Sequence, residues 1–331
     1  MTIINSSSDQ DISNQDSSSQ SIVIPDFEEK SPLKHKPFAD SSFLIAGVVR
    51  NVEKCLTKDV ERISTAFDGV TSLKWLIIES DSIDSTIKIL SELQVKVSGF
   101  RFLSLGELKN EIPLRTERIA FCRNKYVDEL RHNNEYSDVD YVVVADLDGM
   151  NTLITKSGVL SCWERDDWDV CTANQAGPYY DIWALRHGKW VPNDCWEQLE
   201  FFSRYRADAE RNAYSSIYSK MIVIPKDSDW IDVDSAFGGL AIYRKKAFDE
   251  STYVGLSDNG NRICEHVQFH EVLRQKGFRI AINPKMINAA YTEHTAPLFF
   301  ADRIKRRIYQ YLQKLGGLLK SVTITIVMIL R

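Results

Sequence analysis

Tyr141-Val142-Val143-Val144-Ala145 runs without a polar break into Asp146-Leu147-Asp148-Gly149. Five consecutive apolar residues read as a strand covered on both faces, the habit of a parallel sheet. The same punctuation repeats upstream. Residues 43–49 read as a buried strand followed by a helix over 52–67, and 73–79 as the next strand, with a helix over 85–93. A third strand is expected over 96–103, and a helix over 115–131 leads into the run at 141. Strands separated by helices of this length imply βαβ units. The expected class is α/β, with a mostly parallel, Rossmann-like central sheet flanked by helices.

In open sheets of this kind, ligands bind at the carboxyl ends of the strands. The first strand ends at Arg50-Asn51, the second at Glu79-Ser80-Asp81-Ser82-Ile83-Asp84-Ser85-Thr86, and the later one at Asp146-Leu147-Asp148. Strand periodicity puts Asp146 and Asp148 on one side, where they repel each other unless a cation lies between them. A hard divalent ion, Mn2+ or Mg2+, that bridges a diphosphate fits this chemistry. The chain has no G-x-G-x-x-G after a strand and no G-x-x-x-x-G-K-[ST], which argues against a dinucleotide dehydrogenase and a P-loop NTPase. Arg118, Arg123 and Asn124, on the helix before the D-x-D strand, are the candidates to hold phosphate; the alternative is a set of solvated helix charges.

Composition sets the outer limits. The chain has 331 residues, 44% hydrophobic and 26% charged, with 15 Gly and 6 Cys, which excludes disordered, collagenous and disulfide-stapled classes. A net charge of -5 argues against a nucleic-acid partner. The charge is unevenly spread. Residues 1–42 are Ser-rich and acidic, and too polar to offset their ordering entropy, so they are expected to be disordered. They carry no secretory signal, and the cysteines form no CxxC pair, so reduced thiols in a cytoplasmic setting are the expectation. Residues 301–331 are basic, with Ile304, Ile308, Tyr311, Leu312, Leu315 and Leu319 at helical spacing. Such a tail either lies on an anionic membrane as a peripheral contact or packs on the core. The apolar run 322–330 that follows is shorter than the roughly 20 residues of a spanning helix.

The order of these parts resembles a GT-A glycosyltransferase. Glu79 to Thr86 is similar to the D-D-x-S-x-D-x-T signature of many such enzymes, Arg123-Asn124 to their A-R-N helix, and Asp146-Leu147-Asp148 to their D-x-D. Trp168-Asp169-Val170-Cys171, Tyr180 to Arg186, Phe237 to Tyr243 and Cys264-Glu265-His266 resemble the fungal capsule α-1,3-mannosyltransferase family, as do Ile282-Asn283-Pro284 and Ala290-Tyr291. The likeness covers residues 43–298 or so, in order. It implies a GT-A domain over 43–300 between the polar segment and the tail.

That resemblance implies roles. Asp146 and Asp148 would hold the metal, with His294 as a further ligand. Arg50, Glu79, Asp81, Arg118, Arg123, Asn124 and Asp146 would surround a nucleoside-diphosphate sugar, GDP-mannose being the first to consider. Asp181, Trp183, Arg186, Gly238, Gly239 and His266 would face the sugar or the acceptor, a hydroxyl of a glycan or a lipid-linked molecule. Glu265 stands where many GT-A enzymes keep an acidic residue that can serve as general base. The usual Glu-Asp pair reads Glu265-His266 here, which leaves the identity of the base open.

Rival readings have their own residues. His266 and His270 are spaced to bind zinc, but the H-E-x-x-H order of a hydrolytic site is absent; one ring is expected at the site and the other on the helix surface. Trp163, Trp168, Trp183, Trp190 and Trp196 could stack on sugars, though most are expected to be core anchors, with Trp183 the exception. A sugar-phosphate nucleotidyltransferase would want a glycine-rich basic loop where this chain has Val48-Val49-Arg50-Asn51-Val52. A non-catalytic carbohydrate-binding module would not require strand-end carboxylates.

Overall fold

The computed structural model describes residues 35–298. The first half alternates as the sequence implies: β1 (Ser42–Val49), α1 (Leu56–Ala66), β2 (Ser72–Glu79), α2 (Thr86–Lys96), β3 (Phe100–Ser104), α3 (Arg115–His132) and β4 (Tyr141–Ala145). The second half is more mixed: α4 (Lys156–Leu160), β5 (Val170–Gln175), α5 (Cys195–Tyr205), α6 (Ala209–Ser216), β6 (Ile231–Val233), β7 (Leu240–Arg244), α7 (Ala247–Glu250), α8 (Glu265–Gln275) and β8 (Ile280–Ala289). All eight strands form one sheet, in the order β3-β2-β1-β4-β7-β5-β8-β6. β7 is antiparallel to both β4 and β5, and β6 is antiparallel to β8; the remaining pairings are parallel. This is a mixed α/β fold with a central sheet flanked by helices.

Alternation along the strands divides the core between two faces. Leu44, Ala46, Leu76, Ile78, Val142 and Val144 meet Tyr126, Val127 and Leu130 of α3 on one face. Phe43, Ile45, Trp75, Ile77 and Val143 meet Leu56, Val60 and Ile63 of α1 and Leu90 of α2 on the other. A sheet buried on both sides accounts for the continuous apolar runs that first marked β1 and β4.

Several boundaries differ from expectation. α1 starts at Leu56 rather than 52, because Asn51 is left-handed (φ 54°) and the Val52 N–H is spent on Thr86 Oγ1. β3 starts at Phe100, since α2 continues to Lys96. The turn expected at Asn283-Pro284 lies inside β8, where the register with β5 shifts and Asn174 Nδ2 donates to the Pro284 carbonyl at 3.0 Å. A bulge is where a proline is tolerated within a sheet. His35 to Ser41, assigned from sequence to the disordered segment, is ordered: His35 stacks on Trp168 with ring centroids 4.2 Å apart, and Phe38 is buried. The rest of that segment, 1–34, and the tail 301–331 lie outside the described residues. Among the described residues no helix is long and apolar enough to cross a membrane.

Candidate active site

β1 is flanked by β2 on one side and β4 on the other, so the chain's winding reverses between β1 and β4. In doubly wound sheets this switch point opens a crevice at the strands' carboxyl ends. A cleft of about 670 Å3 lies there, lined by Arg50 after β1, Asp81 after β2, Arg118 and Arg123 on α3, and Asp146 and Asp148 after β4. Asp181, Trp183, Glu265, His266 and His294 complete its walls.

The D-x-D segment is held from several directions. The Asp146 N–H donates to the Gly239 carbonyl at 2.9 Å, which extends the β4–β7 pairing by one residue. Leu147 is buried in the core, so the two carboxylates on either side of it are left to the cleft. The Gly149 N–H then donates to Asp59 Oδ2, at 2.7 Å, on α1. Burial and the neighbouring Asp148 push the Asp146 carboxyl well above the usual carboxylate range, against the pull of Arg123. Asp148 stands at the mouth; loss of solvent along the cleft wall raises its pKa, while backbone N–H groups and His294 oppose the rise. His294 is exposed and stacks on Tyr180, with centroids 5.4 Å apart. Among the described residues no group of three His, Cys, Asp or Glu side chains is gathered into a metal cage. Two carboxylates whose charged forms are destabilised, with an imidazole on the same cleft, are nonetheless a donor set suited to Mn2+ or Mg2+.

Arg123 is the buried hub. Its Nε donates to Glu265 Oε1 at 3.0 Å, and its Nη2 lies 3.7 Å from Asp146 Oδ1. The guanidinium also sits 5.5 Å from the ring centroids of both Phe237 and Tyr253. Glu265 opens α8, where a carboxylate complements the helix N-terminus. His266 stacks on Phe237 at 3.9 Å; both of its ring nitrogens are buried without a hydrogen bond, and Nε2 lies 3.8 Å from Glu265 Oε1. Burial, then Arg123 and His270, hold its pKa well below the ordinary imidazole value, so the ring is neutral. Asp81 is left-handed (φ 59°) and buried; its Oδ1 accepts from the Lys109 N–H, and its Oδ2 lies 3.3 Å from Arg118 Nε. The Asp181 carboxyl is raised by burial and held by the Gly238 N–H at 3.0 Å.

Other candidates serve the frame. Glu79 is fully buried, accepting from the Ser82 N–H and the Ser104 hydroxyl. Asn124 forms a two-way amide pair with the Tyr253 backbone. Arg186 is spent on Asp194 and on the carbonyls of Trp183 and Leu185. These three are absent from the cleft lining. Gly239 has φ 84°, and a Cβ there would stand 2.7 Å from Tyr180 Oη and 2.8 Å from Met150 Cγ. Gly239→Ala is therefore expected to cost about 1–3 kcal/mol by urea unfolding. Gly188→Ala, with nothing within 4 Å, is the silent control.

His270 is not on the helix surface, as the sequence suggested. It is wholly buried, its Nδ1 2.9 Å from Ser235 Oγ and its Nε2 2.9 Å from Tyr243 Oη, so both nitrogens are engaged and neither is left for zinc. Burial pulls its pKa from 6.5 to about 3. The unfolded ring then takes up a proton that the folded ring refuses, so stability drops as pH falls from 6.5 toward 3. A His270→Gln variant should show a shallower loss than the parent across that window in urea titrations.

Sequence reading missed the scaffold beneath the glycines. Asn151 Nδ2 donates to the Asp146 carbonyl at 2.7 Å, and Asn288 Nδ2 donates to Asn151 Oδ1 at 3.0 Å and to the Gly238 carbonyl at 2.8 Å. Gln175 Nε2 joins them through the Gly238 carbonyl and Asn288 Oδ1. Asp59 was missed as well; its one signal was a carboxylate on the apolar stripe of Leu56, Val60 and Ile63.

In a doubly wound α/β sheet the switch point, where these arginines and carboxylates gather, is the place where ligands bind. No family model matches the chain, and no curated protein matches it. Among solved structures it is similar to a mannosyltransferase from Pyrobaculum calidifontis in complex with GDP-Man and Mn2+ (12% identity, TM-score 0.43, 78% of this chain and 60% of that one). It is also similar to S. aureus TarS 1–349 in complex with UDP-GlcNAc (13%, TM-score 0.42, 76% and 59%). A third is glucosyl-3-phosphoglycerate synthase from Mycobacterium tuberculosis in complex with UDP (14%, TM-score 0.38, 78% and 76%). The chain spans about three fifths of the length of the first two. Function on such a fold follows from the site's own residues.

Proposed function

We propose that the protein is a glycosyltransferase that moves a hexose from a nucleoside-diphosphate sugar to a hydroxyl of a glycan or lipid-linked acceptor. The observation that carries this reading is the convergence of Asp146 and Asp148 with Arg50, Arg118 and Arg123 on one cleft at the switch point. Asp146, Asp148 and His294 would hold Mn2+ or Mg2+, which when bound neutralises charge on a departing diphosphate. Arg50 supplies positive charge along the same wall, where preorganised electrostatics lower a barrier most, and Arg118 is paired there with Asp81 and donates to the Ile112 and Pro113 carbonyls. Asp81, on the cleft wall after β2, would contact the base or ribose of the donor. Arg123 holds Glu265 fixed beside the cleft. His266, neutral and stacked on Phe237, lines the same cleft beside Glu265, where the acceptor would lie. The fungal capsule resemblance makes mannose the first donor sugar to test, and the basic tail would bring the enzyme to an anionic membrane from the cytoplasmic side.

The test is a panel of GDP- and UDP-sugars with and without Mn2+, read by melting temperature and by release of nucleoside diphosphate. One donor is expected to raise Tm and to be turned over only with the metal. No response to any donor would contradict the proposal and favour a carbohydrate-binding module.

A further inference from the structure

The cleft has two chemically distinct halves. The charged half contains Arg50, Asp81, Arg118, Asp146 and Asp148. The other half is built from Trp183, Cys195, Trp196, Ile217, Tyr218 and Met221. The charged and N–H groups around Asp194 and Lys220 close on one another, while Trp196 Nε1 and Tyr218 Oη make no hydrogen bond among the described residues. Asp194 accepts from Trp183 Nε1 at 2.9 Å, from Arg186 Nη2 at 2.7 Å and from the Trp196 N–H at 2.8 Å. Trp190 Nε1 donates to the Lys220 carbonyl, and Lys220 Nζ to Gln198 Oε1. What is left facing the space is mostly carbon, and Trp196 keeps half of its surface exposed, edge-on to Trp183 with centroids 6.4 Å apart.

We infer that this half is an acceptor subsite for a hydroxyl compound carrying a hydrophobic group, alkyl or aryl. The inference rests on the glycosyltransferase reading, because the apolar wall is continuous with the charged half that would hold the donor. A bare sugar needs polar partners around all its hydroxyls, and here most are spent on one another. Among the six residues of this half, only Trp196 Nε1 and Tyr218 Oη are left for hydrogen bonding by a side-chain N–H or O–H. A hydrocarbon group loses nothing by entering and gains by leaving water.

The test compares methyl, phenyl and n-octyl α-D-mannopyranoside by calorimetric titration into the full chain with Mn2+ and GDP or UDP present, the octyl compound kept below micelle formation. The octyl or the phenyl glycoside is expected to bind about tenfold tighter than the methyl one, or more. The tighter of the two identifies the source as alkyl or aryl. Trp196→Ala and Met221→Gln should bring that preference to within about twofold while leaving nucleotide affinity unchanged. Equal affinity for all three glycosides, or binding by none, overturns the subsite. Nucleotide binding is read separately in the same samples. A preserved hydrophobic preference without nucleotide binding would retire the donor assignment and leave the apolar subsite standing.

Discussion

Asp148→Ala leaves the protein folded and lowers nucleotide-sugar turnover by about 100- to 1,000-fold, the loss that follows removal of one preorganised electrostatic group. The side chain is exposed at the cleft mouth, and nothing in the core rests on it. Its removal also relieves Asp146, whose carboxyl is held up partly by Asp148. The sign is opposite to that of a salt-bridged aspartate. Folding raises the pKa of both groups, so their ionisation costs stability as pH climbs from 3.8 through the folded-state values. At neutral pH the variant should melt no lower than the parent, and the difference should close in acid. Gain of stability with loss of activity marks a strained functional group. A lower Tm with activity intact would mean that Asp148 is a structural carboxylate.

Arg123→Met is expected to have the largest effect on stability, a loss of about 3–5 kcal/mol, because it strands a buried charge. Glu265 is only 7% exposed, and Arg123 Nε is its close cationic partner. The guanidinium also loses its places beside Phe237 and Tyr253 and its contact with the Tyr126 hydroxyl at 3.3 Å. Neutralising the stranded partner in Arg123→Met/Glu265→Gln should restore much of the loss, as measured by urea unfolding. Activity should stay low in both variants, since Asp146 has lost its counter-charge. Arg123→Lys should not rescue activity: one ammonium cannot reach Glu265, Tyr126 and Asp146 together. A double variant no more stable than the single one would show that packing, rather than charge, makes Arg123 necessary.

The first half of the fold was legible because burial on both faces writes itself into the chain as unbroken apolar runs. β1, β2, α3 and β4 all lie where periodicity put them, within a residue or two. The antiparallel insertion of β7 between β4 and β5 was not legible. It depends on pairing between segments some hundred positions apart, such as Val142 with Tyr243, and no local pattern records that. The same division runs through the site. Asp146 and Asp148 stood out because carboxylates directly after an apolar strand are conspicuous. Glu79 and Arg186 looked equivalent in sequence, yet their charges are consumed by Ser82, Ser104 and Asp194, partners that only the folded chain supplies. The Asn151–Asn288–Gln175 network was invisible for a related reason. Amides in loops and strands are ordinary residues until three of them meet beneath two carbonyls.

Calorimetric titration of GDP and UDP into the parent protein and Asp148→Ala, each with and without Mn2+, decides whether Asp146 and Asp148 form a metal-assisted diphosphate site. The parent should bind one nucleotide about tenfold tighter with the ion than without, a coupling of about 1.4 kcal/mol. In Asp148→Ala that coupling should vanish while the fold is kept. Equal affinity with and without Mn2+ in both proteins, or no nucleotide binding in either, would contradict the assignment of Asp146 and Asp148 to a metal-assisted diphosphate site.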